Sequence, residues 1–132
     1  MKNEEKIKYW LGLADYDLET ARAMLKSSRY LYVGFMCHQT IEKALKAVIS
    51  KNCKEDEFPP KIHNLLKLAE QAQILAALSA QQLAALKEIN PLNIEARYPE
   101  YKDMLLNALT EKECKRLLSK TEVLLKWIKT KL

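Results

Sequence analysis

Five polar residues interrupt the apolar face of a helix-forming segment at residues 30–50. They are His38, Gln39, Glu42, Lys43 and Lys46. Apolar residues with the three-to-four spacing of one helical face surround them: Leu31, Phe35, Leu45 and Ile49. Burying an unpaired amide or hydroxyl costs about 1 to 3 kcal/mol, and burying a lone charge costs more. These five side chains therefore need partners or a water-filled cleft, and they are the first candidates for a functional site.

Arg97 and Tyr98 form a second candidate group, within residues 90–108, where the helical signal is weak. Long irregular connections in compact helical domains often carry function. The guanidinium of Arg97 is suited to bidentate binding of phosphate or carboxylate, and Tyr98 is suited to stacking on a base. In the alternative interpretation Arg97 pairs with Glu42, while Tyr98 and Pro99 pack as a plug. The sequence leaves both interpretations open.

Charge pairing between the first two helices follows from their short connection. The helical pattern breaks at residues 27–28, which predicts an antiparallel hairpin. Pairing residues symmetrically about this turn places Asp17 near Gln39 and Lys43, so that an acid, an amide and an ammonium satisfy one another. Lys43 and Lys46 project from adjacent turns and would concentrate positive potential in one groove. For Lys46, we favour the simpler interpretation of a solvent-exposed lysine.

A metal site is conceivable at three residues whose side chains can ligate a metal ion: His38, Glu42 and His63. His38 and Glu42 lie one turn apart and would form a site if His63 converged on them. Di-iron bundles, however, use Glu-x-x-His pairs, and no Glu here has a His three residues later. We therefore predict no metal and no cofactor. We interpret His38 as a hydrogen-bonded histidine near the core or a dimer interface, and His63 as a neutral imidazole in the first turn of the third helix.

The elements that must position these residues are helices. Two glycines and four prolines in 132 residues, with abundant Leu, Ala, Lys, Glu and Gln, are typical of long helices with short connections. The predicted helix starts are Asn3 as an N-cap, Tyr30, Ile62 after Pro59-Pro60, Ser79 with Gln82 as a capping box, and Thr110 with Glu113 as another. The first helix ends near Lys26, and Pro91 ends or kinks the fourth. We predict an all-α fold, an antiparallel up-and-down four-helix bundle with one additional short helix, in a single domain of residues 1–132.

The amino-acid composition limits which binding partners and which cellular compartment we expect. The formal charge of +5 suggests attraction to polyanions without demonstrating it. The basic face of the last helix has no interleaved aromatics, so we favour a solvated face over a nucleic-acid surface. Three cysteines without paired spacing indicate reduced thiols. The charged N-terminus and the lack of an apolar run of about 18 to 20 residues predict a cytoplasmic protein with no membrane contact.

Several of these features together resemble the HEPN domain, a helical nucleotide-binding family. The residues that carry the resemblance are Trp10, Ala14, Asp17-Leu18 and Ala21, His38-Gln39, residues 42–47, His63 with Leu65 and Leu68, and Arg97-Tyr98-Pro99. The resemblance covers nearly the whole chain. It implies a homodimeric helical bundle that binds a nucleotide or RNA, often beside a minimal nucleotidyltransferase. It also implies a polar cluster formed here by Asp17, Gln39, Glu42, Lys43, His63, Arg97 and Tyr98.

Some members of that family are metal-independent ribonucleases, and the resemblance fails at their motif. Those proteins carry an Arg followed by a His after a spacer of four to six residues. The corresponding positions after Arg97 are Lys102, Asp103 and Met104. We therefore predict a non-catalytic module that holds a nucleotide or RNA segment in a cleft lined by the second helix and the Arg97 connection, for a nucleotidyltransferase partner. The alternatives are a ribonuclease with a degenerate motif and a structural bundle that serves oligomerisation or an antitoxin-like role.

Overall fold

The computed structural model describes residues 1–96 and 98–132, and it is all-α, with no strand in that part of the chain. The residues so described form six α-helices: α1 (Asn3–Lys26), α2 (Tyr30–Ile49), α3 (Leu65–Gln71), α4 (Ala80–Ile89), α5 (Pro99–Ala108) and α6 (Glu111–Lys129). Short 3-10 turns occupy Ser50–Asn52, Leu75–Ala77, Asn90–Leu92 and Ile94–Ala96. Three helices are long and three are short, whereas the sequence predicted four long helices and one short one.

The hairpin of α1 and α2 forms as the sequence predicts. Ser28 takes a left-handed backbone conformation (φ 60°), and the amide of Arg29 donates to the carbonyl oxygen of Met24 at 2.8 Å. This tight turn reverses the chain within a few residues. The two helices therefore pack along their length, which aligns the polar positions of α2 with those of α1.

The first helix begins at Asn3 as predicted, but Asn3 is not its N-cap, and the third helix begins three residues later than predicted. Lys2, not Asn3, precedes the first helical residue, and the Asn3 side chain instead donates to the carbonyl oxygen of Cys53 at 2.7 Å. The third helix begins at Leu65 with Asn64 as its side-chain cap, so His63 lies before the helix and not in its first turn. The capping signal of Asn64 outweighs the apolar pattern that begins at Ile62.

The capping boxes open two further helices. At Ser79 and Gln82 both hydrogen bonds of the box are present. At α6 the hydroxyl of Thr110 accepts from the amide of Glu113 at 3.2 Å. The stretch at residues 90–108, predicted to be irregular, contains α5, which Pro99 begins in the position that suits a proline.

The core lies around α2, which contacts α1 on one side and α6 on another. Val33, Cys37, Ile41, Ala44 and Ala47 of α2 are fully buried. A side chain at Gly34 would meet Leu109 Cδ1 at 3.2 Å, so the missing Cβ allows the junction of α5 and α6 to approach α2 closely. This central position explains why polar residues on α2 are enclosed.

A buried lysine fixes the loop that follows α2. The ammonium of Lys6 donates to the carbonyl oxygens of Lys54, at 2.8 Å, and of Glu57, and it lies 5.1 Å from the ring centre of Phe58. Lys6 is fully buried although most lysines are exposed. Its charge is therefore stabilised by backbone oxygens and an aromatic face, and it attaches the loop to α1.

The basic face of α6 is largely compensated by acids. Arg116 pairs with Glu88 and Glu113, Lys120 pairs with Glu88, and Lys115 pairs with Glu111. These pairs satisfy charges that would otherwise face a nucleic-acid backbone. They favour the solvated-face interpretation.

The Glu88 carboxylate should add stability that depends on pH. Hydrogen bonds from Arg116, and then from Lys120, hold its pKa below the ordinary value. A lowered folded-state pKa means that this stability is present above the unfolded-state pKa and is lost as pH falls through the folded-state pKa.

Because Glu88 is about one-third exposed, we expect Glu88→Gln to cost only about 0.5 to 1 kcal/mol of unfolding free energy at pH 7. Urea unfolding at pH 7 and pH 3.5 measures this, with exposed Glu70→Gln as the control. An equal cost at both pH values would contradict it.

The three cysteines are free thiols with different exposure. Burial raises the pKa of Cys37 to about 12 and that of Cys114 to about 11. We expect iodoacetamide at pH 8 to modify partly exposed Cys53 in the native protein and to leave the other two unmodified until denaturant is added. Mass spectrometry of the labelled peptides measures this, and rapid native labelling of Cys37 would contradict the burial.

No helix in the described residues has both the length and the apolar character that a membrane span requires.

Candidate functional site

Three polar residues on successive turns of α2 are enclosed in the bundle. His38, Glu42 and Lys46 are 0%, 2% and 5% exposed. Their one-turn spacing places them on the same face of α2. The prediction that Lys46 is a surface lysine is wrong, because its ammonium lies 3.2 Å from Glu42 Oε2 and 5.4 Å from the ring centre of Trp10. The helical pattern predicts which face of α2 carries Lys46. Only the packing of α1, through Trp10, shows that this face is buried.

Glu42 is the centre of this cluster. Its Oε2 accepts from Lys46 Nζ, and its Oε1 accepts from His63 Nδ1 at 2.8 Å. A buried carboxylate without such partners would be very costly. Both oxygens of the carboxylate are thus satisfied, one by α2 itself and the other by the loop before α3.

His38 is a fully buried core histidine whose surroundings favour the neutral ring. Burial is the main cause that lowers its pKa, and the nearby Glu42 carboxylate, 3.9 Å from Nδ1, opposes this only in part. Its Nε2 donates to the carbonyl oxygen of His63 at 3.0 Å. Gln39 Oε1 lies 3.3 Å from Nδ1, and a 180° rotation of the terminal amide would bring its NH₂ group into position to donate to that nitrogen. The placement of His38 in the core confirms its interpretation as a hydrogen-bonded histidine.

His63 is the accessible member of the cluster. Its side chain is 57% exposed, yet α2 holds it twice, through Glu42 at the ring and through His38 at the backbone. On the other side, the amide of Leu65 donates to Asn90 Oδ1 at 2.8 Å, which attaches the same segment to the connection after α4. An exposed imidazole is therefore held in a defined orientation on a loop.

Asp17 and Lys43 meet as the hairpin geometry predicts. Lys43 Nζ donates to Asp17 Oδ2 at 3.1 Å, and both side chains are mostly shielded from solvent. Gln39, predicted to share this contact, lies beside His38 instead. The ammonium groups of Lys43 and Lys46 are each paired with a carboxylate, so they add less positive potential than the sequence suggested.

The Arg97 prediction falls outside the described residues, and with it the predicted pairing of Arg97 with Glu42. Tyr98 is 83% exposed at the N-terminal end of α5. The alternative in which Tyr98 packs as a plug is therefore wrong. Its exposed ring is available for stacking.

The cleft predicted along the second helix does not open at this cluster, because Glu42, Lys46 and His38 are buried and hydrogen-bonded to one another or to neighbouring residues. A cavity of about 360 Å³ between α1 and α6 and another of about 530 Å³ between α4 and α6 are lined by other residues. Across the described residues, no three His, Cys, Asp or Glu side chains form a group able to hold a metal ion. A ligand at the cluster would therefore meet its outer edge, where His63 is exposed.

Similarity to known proteins identifies the family to which the chain belongs. A model of the HEPN domain matches residues 7–131. The chain belongs to the HEPN domain family.

The HEPN fold is shared with solved structures at low sequence identity. TT1696 from Thermus thermophilus is 22% identical with a TM-score of 0.78, over 96% of this chain and 98% of that chain. ST0689, described as an archaeal HEPN homologue, is 21% identical with a TM-score of 0.66, over 94% of this chain and 95% of that one. Comparison with curated protein sequences gives no significant match.

Proposed function

We propose that this HEPN protein is a non-catalytic module that binds a nucleotide or RNA at the outer edge of the α2 cluster. The observation that carries the proposal is the exposed imidazole of His63, which buried Glu42 and His38 hold in place. A loop side chain held by two buried partners is preorganised for binding, because little conformational freedom is left to lose.

Two further features support a nucleotide or RNA as the ligand. Tyr98 exposes its ring, which suits stacking on a base. The net charge of +5 attracts polyanions, although the paired α6 face supplies little of that attraction. Arg97 belongs to the proposal from its sequence position alone, as the group suited to binding phosphate bidentately.

The proposal includes the partners that the family resemblance implies. The module acts as a homodimer in the cytoplasm, beside a minimal nucleotidyltransferase that uses the bound ligand. For the arrangement of the helices we propose the up-and-down four-helix bundle, formed by the three long helices α1, α2 and α6 together with the shorter α4. Asp17 and Lys43 brace α1 against α2 at the edge of the site.

Calorimetric titration of the purified protein with ATP, GTP and a short single-stranded RNA tests the proposal. We expect one of these to bind, with affinity falling as salt rises because phosphate contacts release counterions. His63→Gln and Arg97→Ala should each weaken binding about tenfold or more while the thermal midpoint stays within a few degrees. Lys112→Gln, on the exposed side of α6, is the control and should leave binding unchanged.

Two outcomes would contradict this function. Absence of binding to all three ligands, with the protein folded and dimeric, would favour a structural role in oligomerisation. Metal-independent cleavage of the RNA, abolished by His63→Gln, would favour the ribonuclease alternative.

A further inference from the structure

The hydrogen bonds around His63 determine which ring nitrogen carries its hydrogen. Glu42 Oε1 lies 2.8 Å from Nδ1, and a buried ionised carboxylate paired with Lys46 can only accept. Nδ1 therefore carries the hydrogen in every form of the ring. In neutral His63 the other nitrogen, Nε2, is left with a lone pair and no hydrogen to donate.

This tautomer has a consequence for anion binding. A deprotonated phosphate oxygen is also only an acceptor, so neutral His63 offers it a lone pair facing a lone pair. Once Nε2 gains a proton, the ring donates from both nitrogens, to Glu42 on the inside and to the anion on the outside. A charge-assisted bond of this kind is about twice as strong as a neutral one.

The charges around His63 favour the same outcome. On α2 the facing groups are Glu42, Lys46 and His38, and in the segment of His63 itself Lys61 lies two residues earlier. The connection after α4 contributes the uncharged Asn90. Glu42 and Lys46 compensate each other, and burial lowers the pKa of His38, which favours its neutral ring. A protonated His63 therefore gives the cluster a net positive charge at its accessible edge.

We propose that His63 binds a phosphate group of the nucleotide or RNA through Nε2 as an imidazolium, so that binding takes up one proton. This inference rests on the proposed function and adds to it the ligand group, the atom that contacts it and the direction of the pH dependence. Because the complex holds more protons than the free protein, affinity rises as pH falls.

The experiment is calorimetric titration over about pH 5 to 8, the range in which imidazole side chains change charge, in buffers of different ionisation enthalpy. The probes are ADP, a short single-stranded RNA and adenosine, which has no phosphate. A terminal phosphate titrates near pH 6, whereas the phosphodiesters of RNA do not titrate in this range. Proton uptake with RNA therefore belongs to the protein, and uptake with ADP is judged against the His63 variant.

We expect uptake of about one proton per bound phosphate ligand, and an affinity that falls as pH rises, by up to about tenfold per pH unit, because the complex holds one more proton than the free protein. His63→Gln should abolish the uptake, and Lys61→Gln should retain it although it removes a neighbouring positive charge. Adenosine should bind without proton uptake or not at all. Uptake with only one of the two phosphate probes identifies whether a terminal phosphate or a phosphodiester is the group bound.

The role of Glu42 has its own test. In the double variant Glu42→Gln with Lys46→Met, the amide can donate or accept, so the tautomer is no longer fixed and neutral His63 can donate from Nε2. We expect proton uptake well below one, with binding retained at alkaline pH. Uptake unchanged from the wild type would overturn the role given to Glu42.

The failures of the two proposals are distinguishable. Binding of ADP or RNA with no proton uptake for either probe, or with uptake that persists in His63→Gln, overturns this inference and leaves the proposed function standing. Absence of binding by both probes at every pH overturns the proposed function and this inference with it.

Discussion

Replacing Glu42 with alanine should lower the free energy of unfolding by about 3 to 5 kcal/mol, because the change leaves the Lys46 ammonium buried without its counter-ion. His63, which is mostly exposed, can turn to water when its partner is lost, so Lys46 accounts for most of the cost. Chemical denaturation at pH 7 measures the effect, which corresponds to a fall of roughly 10 to 20 °C in thermal midpoint.

The chain contains a matched control for this prediction. Glu111 and Lys115 form the same pair at the same spacing with a separation of 3.1 Å, but both side chains are more than 60% exposed. Glu111→Ala should change stability by less than about 0.5 kcal/mol. A double variant, Glu42→Leu with Lys46→Leu, should recover most of the loss, because removing both charges avoids the uncompensated one. If Glu42→Ala costs no more than Glu111→Ala, the cluster is not the buried network described here.

Replacing Lys6 with methionine should cost about 2 to 4 kcal/mol and loosen the loop after α2. The substitution keeps most of the apolar stem but removes the charged donor that the carbonyl oxygens of Lys54 and Glu57 share. Hydrogen bonds to charged groups contribute about 1.5 to 3 kcal/mol each, and part of that returns when the freed carbonyls meet water. Limited proteolysis should therefore cut the variant faster at residues 54–58, and denaturation should show the loss of stability.

Lys8→Met is the comparison for this second prediction. Lys8 lies two residues after Lys6 in α1 but is exposed. Its replacement should therefore leave both the unfolding free energy and the proteolysis rate near those of the wild type. A Lys6 variant with unchanged loop cleavage would show that other contacts hold the loop.

Both predictions concern charges placed inside the bundle, and the one at Glu42 also bears on function. Glu42 stabilises the fold through Lys46 and orients the exposed imidazole of His63 through its second oxygen. A substitution that removes the carboxylate should thus affect stability and ligand binding together. The double variants are needed because they separate the two effects.

Much of the fold was predictable from local signals. The bounds of α1 and α2 follow from apolar periodicity and the break at residues 27–28, and α4 and α6 begin where their capping residues stand. Asp17 and Lys43 were also predictable as partners, because a tight turn between two regular helices fixes which residues face each other. Such features depend on residues near in sequence or related by simple symmetry.

The amino-acid order by itself determined that the chain is all-α, that α2 is its central helix and that polar groups lie on the apolar face of that helix. Only the tertiary structure decided which of those groups are enclosed, that Lys6 and Lys46 are buried, and that His63 lies on a loop against Glu42. The physical reason is that periodicity gives the direction of a side chain on its own helix, whereas its exposure and charge partner depend on whichever distant segment packs against that face.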